Sequence, residues 1–362
     1  MEQQQARAGR ALRALLVSLV SLVVTLGAVE AAARLFLKGK WHTPTLQAVL
    51  AGTNIRSLIE LHPDPALLYR LRPHQEIEFQ GSLVRTDATG KRVRGDEPPP
   101  AANGFTVVLL GDSTSFGWRV AYEESYGDLV RAGLERHLGR PVALHNLSVP
   151  GYNASQELAL LERTFDELRP DLVLVHHDHN DAQPTGWGYG GWVPPEYGDN
   201  ALGSAALKVV LRKIKERADR KAYEIDAGST TIEGYTASGP DYDRMLAARA
   251  KLAERCRAAG VPVCAVLFNA AVVRSANWAE LPIYSELHRG AERHFSEQGY
   301  DVLDLYPLLQ QWLVDEDQKD MSRLWFEPTD QHPTAEGHKL IAELVLEHLV
   351  RRSPWAAAPG AR

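Results

Sequence analysis

The 362-residue sequence has few cysteines and no excess of positive charge. Its two cysteines, Cys256 and Cys264, are too few for a disulfide-stabilised scaffold or a cysteine-rich zinc site. We expect both to be buried thiols, because a helix and the strand directly after it seldom present matching Cβ vectors. A formal net charge of -6 argues against general nucleic-acid binding, since no positive field is available to collect phosphates. The remaining composition, 44% hydrophobic and 24% charged, is typical of a globular protein.

No charged residue occurs in residues 14–29, a run of small and apolar side chains near the N-terminus. Extended to residues 11–37, the segment is long enough to cross a bilayer if its flanking arginines reach the headgroups. A cleaved signal peptide is the alternative, because three alanines at 31–33 offer a cleavage site. Charged residues crowd that site, so we predict that residues 1–40 form a cytoplasmic tip and a single uncleaved transmembrane helix. The rest of the chain is then extracytoplasmic, in the periplasm or at the cell surface.

Residues 41–103, which we call the preface, carry weaker signals. A helix-like piece at 46–61 precedes two segments, 67–71 and 75–84, that alternate like strands. Three consecutive prolines within 96–102 predict a stiff connector. The preface is therefore predicted to be a stalk with a small β-rich part.

The stretch at 105–117, FTVVLLGDSTSFG, organises the rest of the chain. Residues 106–110 indicate a strand buried on both faces, because they show no polar alternation. Gly-Asp-Ser ends this strand, and helical spacing follows over 122–138. Ser113 is thus predicted at the carboxyl end of a strand and before a helix, where open α/β sheets bind ligands. A hydroxyl there can be a nucleophile if a base and an oxyanion site lie nearby, although Gly-Asp-Ser alone is an ordinary turn tripeptide.

The strand-then-helix pattern repeats along the chain. Further strands are predicted at 141–147, 171–176, 261–268 and 300–305, and further helices at 154–168, 242–259, 281–298 and 334–350. Such alternation predicts parallel βαβ units with right-handed crossovers, and hence an α/β fold built as a three-layer α/β/α sandwich with a parallel sheet. We assign this domain to residues 104–352 and a tail to 353–362.

Polar residues follow these strands at one edge of the predicted sheet. Near the C-terminus, His332 could act as general base toward Ser113, and Asp330 could hold its imidazole in the productive tautomer. Gly151 and Asn180 follow the second and third strands. They could supply N–H groups, together with the backbone N–H of Ser113, to a developing oxyanion.

The order and context of these residues resemble the SGNH (GDSL-type) hydrolase family, whose four blocks contribute serine, glycine, asparagine and histidine. Residues 111–113 match the first block and 146–153 the second. Residues 180–181 match the third and 330–338 the last. The resemblance covers residues 104–351 and leaves the N-terminal segment and the preface outside it.

This resemblance implies a flavodoxin-like sandwich and a role for each matching residue. Ser113 is implied to be the nucleophile, His332 the base and Asp330 the orienting acid. The oxyanion hole is implied to consist of the Ser113 amide, Gly151 and Asn180.

Two positions depart from the family's pattern. The third block usually begins with glycine, but Asp178 stands there, which changes the loop geometry or the charge near Asn180. The last block often places its aspartate three residues before the histidine, whereas here the spacing is two. Asp-x-His also occurs in relatives that move acetyl groups on exopolysaccharides, so the triad stays usable and the choice of reaction widens.

The resemblance therefore predicts a serine esterase that cleaves a carboxylic ester, such as an acetyl ester of a glycan or a lipid ester, through an acyl-enzyme on Ser113. One alternative is a glycan O-acyltransferase with the same triad. Another is a catalytically silent glycan-binding protein on the same fold. No cofactor is expected. The expected partners are a small-molecule or glycan ester and, through the N-terminal helix, the membrane.

A group of imidazoles and carboxylates at the end of the third strand has a composition that suits zinc, manganese or iron. It comprises His176, His177, Asp178, His179 and Asp181. Because neighbours along a strand point to opposite faces, these side chains cannot all converge, and we predict no metal site.

An insertion at about 183–240 separates the third and fourth strands and is far longer than an ordinary loop. Since it begins just past Asn180, we expect a lid over the site. Four aromatic residues could stack on a sugar, cover an acyl chain or simply pack the lid down: Trp187, Tyr189, Trp192 and Tyr197. A basic amphipathic helix is predicted at 202–225, more as a solvated face than as a lipid contact.

Overall fold

The structure is a computed structural model. It describes residues 13, 17–32, 55–96, 103–183, 185, 231–232, 235–236, 239–268, 282–316, 323–327 and 330–352. The chain divides into two compact units, Met1–Thr45 with Gly190–Lys221 and Leu46–Tyr189 with Ala222–Arg362. In the first unit the described residues include helix α1 at 17–32. Among the described helices, none combines the length and the apolar character needed to cross a membrane. The basic helix predicted at 202–225 lies outside the described residues.

The preface begins with a single helical turn, α2 (Ile55–Leu58), which leads directly into strand β1 (Ile59–Leu61). Strand β1 pairs antiparallel with β2 (Tyr69–Leu71). The expected helix-like piece at 46–61 is therefore wrong at its C-terminal end. The reason is that β2 offers an antiparallel partner, and pairing with it buries Ile59 fully.

A three-stranded antiparallel sheet completes the described preface, with strands β3 (Glu76–Phe79), β4 (Ser82–Thr86) and β5 (Arg92–Val93). The single strand expected at 75–84 is instead a hairpin. Gln80 and Gly81 have φ angles of 54° and 82°, and positive φ at both central residues is typical of a two-residue hairpin turn.

The main domain is built on five parallel strands. They are β6 (Phe105–Leu110), β7 (Val142–Asn146), β8 (Leu172–His177), β11 (Val263–Leu267) and β12 (Asp301–Asp304). Their spatial order is β7-β6-β8-β11-β12, and every neighbouring pair is parallel. In chain order this is 2-1-3-4-5, the flavodoxin-like arrangement. The predicted parallel α/β sheet is confirmed. Two further short strands, β9 (Thr231–Ile232) and β10 (Tyr235–Thr236), form a separate antiparallel pair.

Helices cover both faces of the sheet. They are α3 (Ser113–Phe116), α4 (Tyr126–Leu138), α5 (Ala154–Leu168), α6 (Pro240–Ala258), α7 (Pro282–Gln298), α8 (Leu305–Asp315) and α9 (Ala335–Arg352). One core contains apolar residues of α4, α8 and α9, and the other contains residues of α5, α6 and α7. Alternate residues of β6 enter the two cores, Val107 and Leu109 on one side and Val108 and Leu110 on the other. Three layers result, as predicted.

Two elements near the C-terminus were not predicted. Helix α8 directly follows β12, and a hairpin of β13 (Trp325–Glu327) and β14 (Asp330–Pro333) precedes α9. The last block therefore lies partly on a strand, and the final helix begins only at Ala335. The two cysteines are free and buried, which confirms that prediction.

Candidate active site

Ser113 is the first residue of α3 and follows β6 after only two residues. Gly111 makes this tight junction feasible. A Cβ on Gly111 would lie 2.1 Å from the Ser115 hydroxyl oxygen and 2.9 Å from the His176 Cβ, so no larger residue fits there without a shift. The serine is half-buried at the carboxyl end of the sheet.

Asp112 joins the turn that carries Ser113 to the turn that follows β8. Its Oδ1 accepts the backbone N–H of Thr114 at 2.9 Å and so caps the N-terminus of α3. Its Oδ2 accepts the side-chain amide of Asn180 at 2.6 Å. An amide nitrogen carries two hydrogens, so Asn180 can donate one to Asp112 and still offer the other to a substrate oxygen.

His332 lies on β14 and reaches Ser113 across 219 positions of the sequence. Its Nε2 is 2.8 Å from the Ser113 Oγ, within hydrogen-bond distance. Asp330 begins the same strand, and its backbone pairs with Glu327. The side chain of Asp330 lies outside the described part of the structure, so its role as the orienting acid stays a prediction.

The loop after β7 runs beside the turn that carries Ser113. The N–H of Leu147 donates to the carbonyl of Leu109 at 2.8 Å, and the N–H of Val149 donates to the carbonyl of Gly111 at 3.2 Å. These bonds continue the β6–β7 pairing past the end of β7 and carry Gly151 along the same edge. Gly151 has a φ of 76°, which glycine adopts without strain.

The family model described as the GDSL-like lipase/acylhydrolase family matches residues 109–302, more than half of the chain. The chain belongs to this family. The match includes three of the four block residues, Ser113, Gly151 and Asn180, and it ends before His332. The placement of the fourth block beside Ser113 comes from the tertiary structure.

Individual relatives give less information about this chain than the family model does. An arylesterase of Vibrio mimicus is 36% identical over 76 residues, which make up 21% of this chain and 38% of that relative. Among solved structures, the esterase EstA of Pseudoalteromonas sp. is 15% identical with a TM-score of 0.40, covering 67% of this chain and 96% of that one. The acetyl xylan esterase AlAXEase is 14% identical with a TM-score of 0.42, covering 67% of this chain and 97% of that one. The structural likeness is low, so membership of the GDSL-like family rests on the family match.

A buried ionic network supports the third block of this GDSL-like chain. The Arg249 guanidinium, fully buried on α6, donates to Glu157 on α5 at 2.8 Å and to Asp181 at 2.6 Å. Asp181 also contacts the Nδ1 of His177. Burial alone would raise the pKa of Asp181, but Arg249 and His177 outweigh it and hold that pKa below its usual range. The network fixes the turn that carries Asn180.

The imidazoles and carboxylates around β8 separate as the strand geometry predicts. His177 turns to the Arg249 network, whereas His176 and Asp178 meet Asp112 on the other face, with ligand atoms within 4.8 Å of one another. Burial lowers the pKa of His176 to about 4, so its ring is neutral at physiological pH. Among the residues that the structure describes, Asp112, His176 and Asp178 form a group that could hold a metal ion.

Sequence reasoning did not identify two residues that contact the site. Trp118 stacks on the imidazole of His332, with ring centroids 5.1 Å apart and an angle of 21° between the ring planes. Arg249 could have been noticed, because it interrupts the apolar face of α6, which includes Met245 and Leu252. An arginine on an apolar face usually has buried partners. Trp118 offered no comparable signal.

The aromatic residues of the predicted lid are not among those that the structure describes. They are Trp187, Tyr189, Trp192 and Tyr197. Their contact with substrate remains a prediction.

Proposed function

We propose that this chain is a serine esterase that hydrolyses a carboxylic ester through an acyl-enzyme on Ser113. The observation that carries the proposal is the 2.8 Å distance between the His332 Nε2 and the Ser113 Oγ. A nucleophile and a base within hydrogen-bond distance are the minimal unit for acyl transfer. Membership of a lipase/acylhydrolase family supports the same reaction.

In the first half of the reaction, the Ser113 Oγ attacks the ester carbonyl carbon while His332 takes the hydroxyl proton at Nε2. The carbonyl oxygen becomes an oxyanion, which we propose is bound by the backbone N–H groups of Ser113 and Gly151 and by the Asn180 amide. The bond to the alcohol oxygen then breaks. His332 returns the proton to that oxygen, which releases the alcohol and leaves an ester on Ser113.

In the second half, a water oxygen attacks the acyl carbon and His332 takes one water proton. The bond to the Ser113 Oγ breaks, the carboxylic acid leaves, and the serine regains its proton from the imidazolium. We propose that Asp330 orients the imidazole throughout, as its place two residues before His332 on one strand suggests.

The substrate is proposed to be a small-molecule or glycan ester. The Vibrio mimicus relative is named an arylesterase, which supports testing aryl esters first. A series of p-nitrophenyl esters from acetate upward gives the preferred acyl length. Acyl transfer to an added glycan, measured as acylated product beside free acid, would instead support the O-acyltransferase.

Substitution of either Ser113 or His332 tests the mechanism. Ser113→Ala and His332→Ala should each lower kcat for p-nitrophenyl acetate at least about a hundredfold, because each removes one member of the nucleophile–base pair. The exposed residues Ser296 and His137 provide matched alanine controls that should keep wild-type kcat. Hydrolysis that persists in both site variants would contradict the proposal. So would a wild-type chain that neither hydrolyses the esters nor shows an acylated Ser113 by mass spectrometry.

We also propose that residues 14–29 tether the chain to a membrane, with the hydrolase domain outside the cytoplasm. The absence of charged residues from that run supports it. The full chain should remain in the membrane pellet after alkaline carbonate extraction, whereas deletion of residues 1–40 should release it. Deletion of the 353–362 tail is the control. A soluble full chain whose mature N-terminus begins after residue 33 would support signal-peptide cleavage instead.

A further inference from the structure

The loop at 117–120 lies against both the proposed nucleophile and the proposed base. It directly follows α3, whose first residue is Ser113, and its Trp118 lies face to face with the His332 ring. The next residue, Arg119, places its guanidinium over the ring of Phe326 at 4.3 Å, on the strand that pairs with β14. The position of this loop therefore affects both partners of the Ser113–His332 pair.

One residue of the loop has an unusual backbone conformation. Arg119 has a φ of 66°, a left-handed conformation that is uncommon for residues other than glycine. Such a conformation persists when the surrounding structure holds it. Part of the support for this conformation comes from the preface.

Phe79, the last residue of β3, supports the indole. Its ring meets Trp118 edge to face, with centroids 5.0 Å apart and an angle of 87° between the planes. Phe79 is only 1% exposed, so its ring is fixed by packing. The rings of Phe79, Trp118 and His332 thus form a continuous series of contacts from the preface to the proposed base.

Arg92, on β5, holds the backbone of the same loop. Its guanidinium donates to the carbonyls of Phe116 at 2.6 Å, Gly117 at 2.7 Å and Val120 at 2.8 Å. Two of these carbonyls lie at the C-terminal end of α3 and its cap, where helical carbonyls have no partner within the helix. Arg92 is 1% exposed and also lies over the Phe116 ring at 4.6 Å.

We propose that the preface is part of the catalytic unit. Phe79 and Arg92 hold the 117–120 loop so that Trp118 fixes the His332 ring against Ser113. The inference rests on the proposed esterase function and assigns Trp118, Phe79 and Arg92 as positioning residues. A flat indole restricts rotation of the imidazole about its side-chain bonds and keeps Nε2 directed at the hydroxyl.

The contact with His332 is tested by two substitutions of Trp118 in the full chain. Trp118→Leu keeps an apolar side chain but removes the flat ring, and should lower kcat for p-nitrophenyl acetate about tenfold with KM within about twofold. Trp118→Phe retains a ring over the imidazole and should restore most of that loss. The rate of Ser113 labelling by a fluorophosphonate should follow kcat, because it reports the activated hydroxyl without a bound ester.

The role of the preface is tested by Phe79→Leu, with Leu71→Ala as the matched control. Both change a buried side chain of the preface, but Leu71 lies on β2, which pairs with β1 and not with the sheet that contains Phe79. Phe79→Leu should lower kcat and the labelling rate, whereas Leu71→Ala should lower the melting temperature and leave both rates unchanged. Arg92→Lys keeps the charge but cannot reach three carbonyls at once, and should act in the same direction as Phe79→Leu.

Three results would overturn the proposal. The first is a Trp118→Leu variant whose kcat and labelling rate stay within about twofold of wild type. The second is an equal loss of kcat in Phe79→Leu and Leu71→Ala at equal loss of melting temperature, which would indicate general destabilisation. The third is a wild-type chain that neither hydrolyses esters nor reacts with the fluorophosphonate. That result contradicts the esterase function itself and is separated from the first two by the wild-type measurement.

Discussion

At the scale of single residues, Asp112 has an unusual protonation state for a carboxyl group. It is 4% exposed, and both of its oxygens accept hydrogen bonds, from the Thr114 backbone and from the Asn180 amide. Burial and the nearby charge of Asp178 raise its pKa to about 7. The group that caps α3 therefore holds a proton at pH values where an exposed aspartate would have lost it.

This shift predicts a pH dependence of stability. Between the ordinary value of 3.8 and about 7 the folded chain retains a proton on Asp112 that the unfolded chain releases. The free energy of unfolding should therefore fall as the pH rises through this window, by up to about 1.4 kcal/mol per pH unit for one proton. Asp112→Asn removes the titrating group and should flatten that slope in urea titrations taken from pH 4 to pH 7.

The exposed Asp243→Asn serves as the control for the removal of a charge and should leave the slope as in wild type. An Asp112→Asn variant with the wild-type slope would show that another group retains the proton. The carboxyl of Asp178, which lies against Asp112, would then be the first to examine.

At the scale of elements, one arginine joins two helices and a turn. Arg249 on α6 pairs with Glu157 on α5 and with Asp181 in the 3-10 turn His179–Ala182 after β8. All three side chains are at most 1% exposed. Since Asn180 is the neighbour of Asp181, the helix packing on this face also fixes one proposed donor of the oxyanion hole.

Removal of this arginine should be costly. Arg249→Met leaves the buried carboxylate of Asp181 without its cation and Glu157 without its hydrogen-bond donor, and should lower the free energy of unfolding by about 3–5 kcal/mol. Arg244→Met on the same helix breaks an exposed pair with Asp241 and should cost about 1 kcal/mol or less. Urea unfolding monitored by circular dichroism gives both values. Equal losses in the two variants would mean that the buried network contributes no more than a surface pair.

Some helices and strands could be predicted from the sequence and others could not. The five parallel strands, α5, α6 and α7 follow from runs of apolar residues and from helical spacing, because burial against a neighbouring layer imposes those patterns. The β3–β4 hairpin and the β13–β14 hairpin could not be predicted from such patterns. Both have strands of three to five residues, too short for a period to show.

At the scale of the whole molecule, the site is assembled from parts far apart in the sequence. The family match includes Ser113, Gly151 and Asn180 but ends before His332, which lies on the hairpin that precedes α9. The preface lies outside that match and nevertheless places Phe79 and Arg92 against the loop behind Ser113. The described strands of the preface and the sheet of the hydrolase domain belong to one compact unit, Leu46–Tyr189 with Ala222–Arg362.

The sequence alone was enough to predict the α/β class of fold, the alternation of strands with helices and the four blocks that resemble the family. Each of these features depends on residues that are close together in the chain: apolar strands, helical periods, and short motifs at the ends of strands. The folded chain was needed to show that His332 lies 2.8 Å from Ser113, that Trp118 stacks on its ring and that Arg249 binds Asp181 beside Asn180. These contacts join residues with no periodic relation in the sequence, and they arise when packing brings separate segments to one edge of the sheet.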